Sequence, residues 1–303
     1  MYDVIIIGAG VAGISAAIYA KRSNMNVLII EKDAPGGQVN KTSVVENYPG
    51  FTSIEGPELA YKLFEQLREL NVEYKALEVK KIVNNEEYKT IITNNGEYNT
   101  KAVIIATGRN PKKLGKENED KLYGKGISFC SICDGNLYKD KKIAIIGGGN
   151  SAAEEGLYLS NIVSHLTIIN RSNKLRADES MVHELKKREN IEILYNTEVE
   201  KFNVADNKLS SLTLKNNEDR SESNLDVSGV FVFIGYEPAS EFLKDLDVLD
   251  NNNYVIVNNR METKIPGIYA CGDVIKKDLY QIITSESEGA IAATFAKRYV
   301  DNI

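Results

Sequence analysis

One pattern written twice constrains this 303-residue chain more than any other feature. Near the N-terminus an apolar run from Tyr2 to Ile7 leads into Gly8-Ala9-Gly10-Val11-Ala12-Gly13. A helical stretch follows, with Ile14, Ala17 and Ile18 on one face, and a second apolar run, Val27-Leu28-Ile29-Ile30, ends at Glu31. The order recurs later: a strand from Lys142 to Ile146, the turn Gly147-Gly148-Gly149-Asn150-Ser151-Ala152, a helix, and Leu166-Thr167-Ile168-Ile169 ending at Asn170. Gly8 and Glu31 are 23 positions apart, as are Gly147 and Asn170. Further matches keep the same order: Asn71-Val72-Glu73 with Asn190-Ile191-Glu192, Glu78-Val79 with Glu198-Val199, and residues 103–108 with 230–235. The spacing predicts one nucleotide-binding unit present twice.

Each glycine in such a turn has a separate task. Gly8 allows the tight turn, Gly10 lets a pyrophosphate approach the backbone, and Gly13 lets helix and strand pack closely. Unpaired N–H groups at the helix start receive phosphate, and Glu31 is placed to hold a ribose hydroxyl pair. Gly147, Gly149, Asn150 and Ser151 take the equivalent places in the second copy. That copy lacks the segment between Gly37 and Pro57, so a smaller domain is expected.

Between the copies lies Cys130-Ser131-Ile132-Cys133-Asp134. Two thiols at this spacing cycle between dithiol and disulfide, one of them acidified toward thiolate. Asp134 is placed to carry the protons of the exchange. Two nucleotide sites and a dithiol together predict a relay of electron carriers. Three cysteines in a chain this long make no disulfide framework, which points to a reducing, cytoplasmic setting. Cys271, in the apolar run Ile268-Tyr269-Ala270-Cys271, is expected to be buried and structural. A net charge of −6 argues against nucleic acid as a partner. No apolar run approaches the roughly 20 residues of a membrane span, and no signal peptide is expected ahead of the first strand. No metal site is expected, since His165 and His183 are not at ligand spacing with the lone Cys-x-x-Cys.

The remaining segments read more locally. Pro57 opens a helix with Leu59, Leu63, Leu67 and Leu70 at helical spacing. Asn94-Asn95-Gly96 marks a hairpin. Residues 112–125 are charged and read as hinge and linker, and residues 216–224 as a solvated hairpin tip. After Gly235 the first domain resumes, through Gly272-Asp273 and an amphipathic stretch over residues 287–299.

These motifs resemble the low-molecular-weight bacterial thioredoxin reductases, members of the flavoprotein disulfide reductase family, over essentially the whole chain. The resemblance is carried by residues 8–13, Gly36-Gly37-Gln38, residues 46–50, residues 130–134, residues 147–155, Val232-Phe233-Ile234-Gly235 and Gly272-Asp273. It implies an α/β fold of two Rossmann-like nucleotide-binding domains, each a three-layer ββα unit. The FAD domain is discontinuous (1–111 and 240–303), with the domain carrying the Cys-x-x-Cys inserted (112–239). FAD is expected against the Gly8 turn, Glu31, Gly36, Gly37, Gln38, Asn47, Gly272, Asp273 and Gln281. The resemblance further implies a homodimer whose second domain swings between two orientations. In it Cys133 faces the flavin, Cys130 attacks the disulfide of thioredoxin or a thioredoxin-like protein, and Asp134 exchanges protons.

Two stretches depart from the family. Where NADPH-dependent members carry His-Arg-Arg and a later arginine, this chain has Asn170-Arg171-Ser172-Asn173-Lys174-Leu175-Arg176, so Arg171 and Arg176 remain for the 2′-phosphate. Loss of one charge-assisted contact, commonly about 1.5–3 kcal/mol, weakens NADPH without abolishing it. The family commonly has Arg-Gln-Ala after Gly-Asp, and this chain has Tyr280-Gln281-Ile282. The expected donor is NADPH; ferredoxin, as in some clostridial relatives, or NADH are the alternatives. A non-catalytic, redox-sensing flavoprotein is the competing class.

Overall fold

The computed structural model describes every residue except Ser43, and the side chains of Lys41, Val44, Ile132 and Cys133 also lie outside the description. The chain forms two compact units, Met1–Asn110 with Glu237–Ile303, and Pro111–Tyr236. The first unit resumes at Glu237, not at residue 240, because the segment after the crossing is already tied to it. Ala239 donates its N–H to the Gly108 carbonyl at 2.9 Å and accepts from the Thr107 hydroxyl at 2.7 Å.

In the first unit the strands Tyr2–Ile7, Val27–Glu31, Glu73–Ala76, Ile268–Ala270 and the end of Gly96–Ile105 form a parallel sheet. Such strands are buried on both faces and therefore read as unbroken apolar runs. Val4 and Ile6 enter one core with Ala12 and Ala16, while Ile5 and Ile7 enter another with Leu28 and Ile30. The start of the long Gly96–Ile105 strand also pairs antiparallel with Lys89–Thr93, which pairs with Val79–Asn84. Asn94 and Asn95 form the hairpin turn, followed by Gly96 at φ +102°. The helices Val11–Arg22 and Ile282–Val300 cover one face. They approach so closely that a Cβ on Gly289 would fall 2.1 Å from the Ala12 carbonyl oxygen.

The second unit repeats this plan. Its parallel sheet runs Ile127–Ser128, Gly229–Val232, Lys142–Ile146, His165–Ile169, Ile191–Leu194. An antiparallel sheet of Thr197–Ala205, Lys208–Asn216 and Glu222–Asp226 forms the second layer. The sequence matches fall on equivalent elements. The strand holding Val103 pairs with the first strand of its unit as the strand holding Val230 pairs with Lys142–Ile146, and each then reaches a glycine at positive φ, Gly108 and Gly235.

The charged segment 112–125 is not a free linker. Glu119, 4% exposed, accepts the backbone N–H groups of Leu114 at 2.9 Å and Gly115 at 2.7 Å, and Leu122 is buried beside it in the core of the second unit. A carboxylate three to five residues downstream lets a charged stretch fold back on itself, which hydropathy alone does not reveal. No helix among the described residues is long and apolar enough to cross a membrane.

Candidate functional site

In the first unit the expected nucleotide residues converge at the carboxyl ends of the parallel strands, where open α/β sheets take ligands. A Cβ on Gly8 would lie 2.4 Å from the Ala106 carbonyl oxygen, and one on Gly13 1.9 Å from the Gly8 carbonyl oxygen. Around Gly10 a Cβ would meet nothing within 4 Å. Gly10 is the N-cap of the helix Val11–Arg22 and caps it with no side chain, so the first N–H groups keep their capacity for an anion. Glu31 accepts from the Ala9 N–H at 2.8 Å and the Asp33 N–H at 2.9 Å, one on each carboxylate oxygen. Each oxygen keeps a lone pair for a ribose hydroxyl. Gly36 donates to the Ala9 carbonyl at 2.7 Å, and Gly37 lies against Gly10. The turn thus fits the pyrophosphate and ribose of FAD: closed where chain must pack, open where phosphate must enter.

The other expected flavin residues lie in the same unit. Gln38 Nε2 donates to the Arg109 carbonyl at 3.0 Å, and Asn47 Nδ2 donates to Gln281 Oε1 at 3.1 Å. Gly272, at φ +76°, donates to Glu288 at 2.8 Å, and a Cβ there would meet Ala12 at 2.8 Å. Asp273 is held by the Ser285 hydroxyl at 3.1 Å, Lys277 at 3.3 Å and Arg109 at 3.2 Å. Burial pushes the Glu288 carboxyl up, and Lys277, 2.9 Å away, opposes the rise. Tyr280 packs: its ring lies 4.1 Å beneath the Arg109 guanidinium, and the ring of Tyr254 is 6.4 Å away. Arg109, Lys277 and Glu288 were not singled out from sequence; only the spacing of Lys277 from Asp273 hints at their pairing.

The second unit carries the other two sites on one sheet edge. Gly149 repeats Gly10: it N-caps the helix Asn150–Ser160 without a side-chain cap, and a Cβ on it would meet nothing within 4 Å. Asn150 exchanges hydrogen bonds with Asp178, donating at 3.1 Å and accepting at 2.9 Å, and Ser151 is exposed at the same helix start. Asn170 is 6% exposed, and its amide donates to the carbonyls of Ser172 at 2.8 Å and Lys174 at 2.9 Å. It shapes the loop that follows and is not presented to a phosphate. That loop closes onto the glycine turn through the Arg176 N–H and the Gly148 carbonyl, 2.6 Å apart, and leaves Arg171, Lys174 and Arg176 exposed. Lys174 is a third cation that motif comparison passed over.

Cys130 follows the edge strand Ile127–Ser128 and is disulfide-bonded. The Cys133 side chain lies outside the described residues. Ser128, 3% exposed, brackets Cys130: its hydroxyl accepts the Cys130 N–H at 3.0 Å and donates to the Cys130 carbonyl at 3.2 Å. The Asp134 N–H reaches that same carbonyl at 3.2 Å. The segment packs on the nucleotide helix, since a Cβ on Gly135 would meet Leu159 at 2.9 Å. Burial raises the Glu155 carboxyl of this helix, with the Ser131 hydroxyl opposing the rise. Cys271 is free and fully buried, and burial pushes its thiol far up, which leaves it inert.

A glycine turn at the carboxyl edge of the parallel sheet in each unit, with disulfide-bonded Cys130 at that edge in the second, defines a disulfide oxidoreductase. The model of the family "Pyridine nucleotide-disulphide oxidoreductase" matches residues 2–289, and the chain belongs to that family. Within it the chain belongs with the low-molecular-weight thioredoxin reductases. It is 42% identical to a thioredoxin reductase of Bacillus subtilis, over 100% of this chain and 96% of that one. It is similar in structure to Lactococcus lactis thioredoxin reductase in its FR conformation, at 40% identity and a TM-score of 0.87, with both chains covered completely. Thioredoxin reductase from T. acidophilum is 38% identical, with a TM-score of 0.82 over 99% of this chain and 98% of that one.

Proposed function

We propose that this chain is an FAD-dependent thioredoxin reductase. It passes electrons from NADPH through FAD to the Cys130/Cys133 pair and on to thioredoxin or a thioredoxin-like protein. The observation that carries the proposal is the placement of disulfide-bonded Cys130 on the same sheet edge as the Gly147–Gly149 turn, beside its helix. When bound, FAD supplies the two-electron acceptor that links a nicotinamide to a disulfide. The chain's own groups do the rest. The N–H groups after Gly10 hold the pyrophosphate, Glu31 the ribose, and Asp273 with Asn47 and Gln281 orient the remainder. In the second unit, Arg171, Lys174 and Arg176 grip the 2′-phosphate, while Asn150 and Ser151 open the helix that takes the pyrophosphate.

In the reduced pair the Cys130 thiolate attacks a sulfur of the thioredoxin disulfide, and the mixed disulfide forms as the other thioredoxin sulfur leaves as thiolate. The Cys133 thiolate then attacks the Cys130 sulfur. This re-forms the internal disulfide and releases the second thioredoxin sulfur, which completes a two-electron transfer. Asp134 delivers protons to the departing thiolates. The proposal includes a homodimer in a reducing cytoplasm. Three exposed cations on the 170–176 loop favour NADPH over ferredoxin. The test is anaerobic mixing of the yellow protein with NADPH, NADH or reduced ferredoxin while the flavin band is followed. Fast bleaching by NADPH supports the proposal; bleaching by ferredoxin alone overturns the donor and leaves the dithiol chemistry.

A further inference from the structure

Arg109 meets the expected flavin residues from several sides. Its carbonyl accepts from Gln38, and its Nε lies 3.2 Å from Asp273. Its guanidinium stacks 4.1 Å over Tyr280, the neighbour of Gln281. The side chain is 22% exposed, so its charge is only partly screened by water. The other charges here are Lys277, which lies between Asp273 and Glu288, and those two carboxyls themselves.

We propose that Arg109 supplies a positive charge to the flavin site: Tyr280 carries its guanidinium as a stacking platform and Asp273 orients it. The inference rests on the FAD assignment above and deepens it. Reduction adds two electrons and one proton to the flavin and leaves it with a negative charge. A nearby fixed cation therefore favours the reduced form and raises the midpoint potential. Arg109 sets the potential through its charge.

The test measures the flavin midpoint potential of purified holoenzyme by equilibration against a reference dye during gradual reduction. It is done in a Cys130→Ser/Cys133→Ser background, so that only the flavin titrates. Arg109→Gln is expected to make the flavin about tenfold harder to reduce, a fall of about 30 mV for a two-electron couple. Arg109→Lys keeps the charge and is expected to keep most of the potential. The exchange Arg109→Ala/Tyr280→Arg is expected to return it to the parent value. An unchanged potential in Arg109→Gln, or an exchange variant as low as Arg109→Gln, overturns the proposal. If Arg109→Gln sheds its flavin, the lysine and exchange variants decide by the same criterion. A parent protein that binds no FAD overturns the cofactor assignment itself, and the proposal with it.

Discussion

Replacing Gly10 with alanine separates the fold of the first nucleotide turn from its ligand. Gly10 sits at φ −75° and ψ −178°, a conformation any residue adopts, and an added Cβ would touch nothing within 4 Å. The protein should therefore accept the methyl with little loss of stability, at most the ~1 kcal/mol by which alanine is a poorer N-cap than a favoured residue. The space the methyl fills is the one through which the pyrophosphate approaches the helix N-terminus. Displacing the phosphate costs at least one charge-assisted hydrogen bond, about 1.5–3 kcal/mol, or roughly one to two decades in FAD affinity. Gly13→Ala is the contrast. Its Cβ would fall 1.9 Å from the Gly8 carbonyl oxygen, and such overpacking costs about 1–3 kcal/mol or more whether or not FAD is present. The assay is recovery of flavin fluorescence as holoenzyme is diluted, with far-UV circular dichroism melts beside it. Gly10→Ala should release FAD at concentrations where the parent holds it, while its dichroism spectrum stays native. Unaltered FAD retention in Gly10→Ala, or a melt lowered as far as that of Gly13→Ala, would refute the reasoning.

The other predictions use the second unit. Gly149→Ala should raise KM for NADPH by roughly tenfold or more, through loss of one phosphate contact, and leave FAD content unchanged in the purified protein. Ser128→Ala removes both bonds that bracket Cys130; it should lower the melting point by the equivalent of about 1–2 kcal/mol and slow thioredoxin reduction, with flavin reduction by NADPH unaffected. Glu155 gives a pH dependence. Its folded carboxyl is raised above 4.5, so the native state binds more protons than the unfolded chain, and its contribution is present below about pH 4.5 and lost as pH rises through the folded value. Glu155→Gln should therefore flatten the fall of stability with rising pH in that window, measured by denaturant melts from pH 4.5 upward; an unchanged slope contradicts the burial argument.

The parts of this molecule that follow from short-range rules are legible in the sequence. The two βαβ units announce themselves because buried parallel strands must be apolar throughout, and because the turns need glycine where Gly8 and Gly147 take positive φ. The Asn94-Asn95 turn is equally local. Part of what could not be read lies between residues distant in the chain, and part in burial and side-chain bonds that composition does not register. Arg109 meets Asp273 and Tyr280 only because the Gly96–Ile105 strand pairs in parallel with Ile268–Ala270, which brings their carboxyl ends together. The motif shows Asn170 only as a replacement for a histidine; that its amide is spent on the Ser172 and Lys174 carbonyls depends on its burial. The charged run 112–125 read as linker because the folding role of Glu119 depends on its burial, which composition does not register.

The relay through the cysteine pair is the central claim, and single-cysteine variants test it most directly. NADPH-driven reduction of thioredoxin would be measured for the parent, Cys130→Ser and Cys133→Ser, each with its bound FAD quantified. The account predicts turnover in the parent and none in either variant, with all three proteins retaining flavin. Sustained thioredoxin reduction by both variants would contradict it.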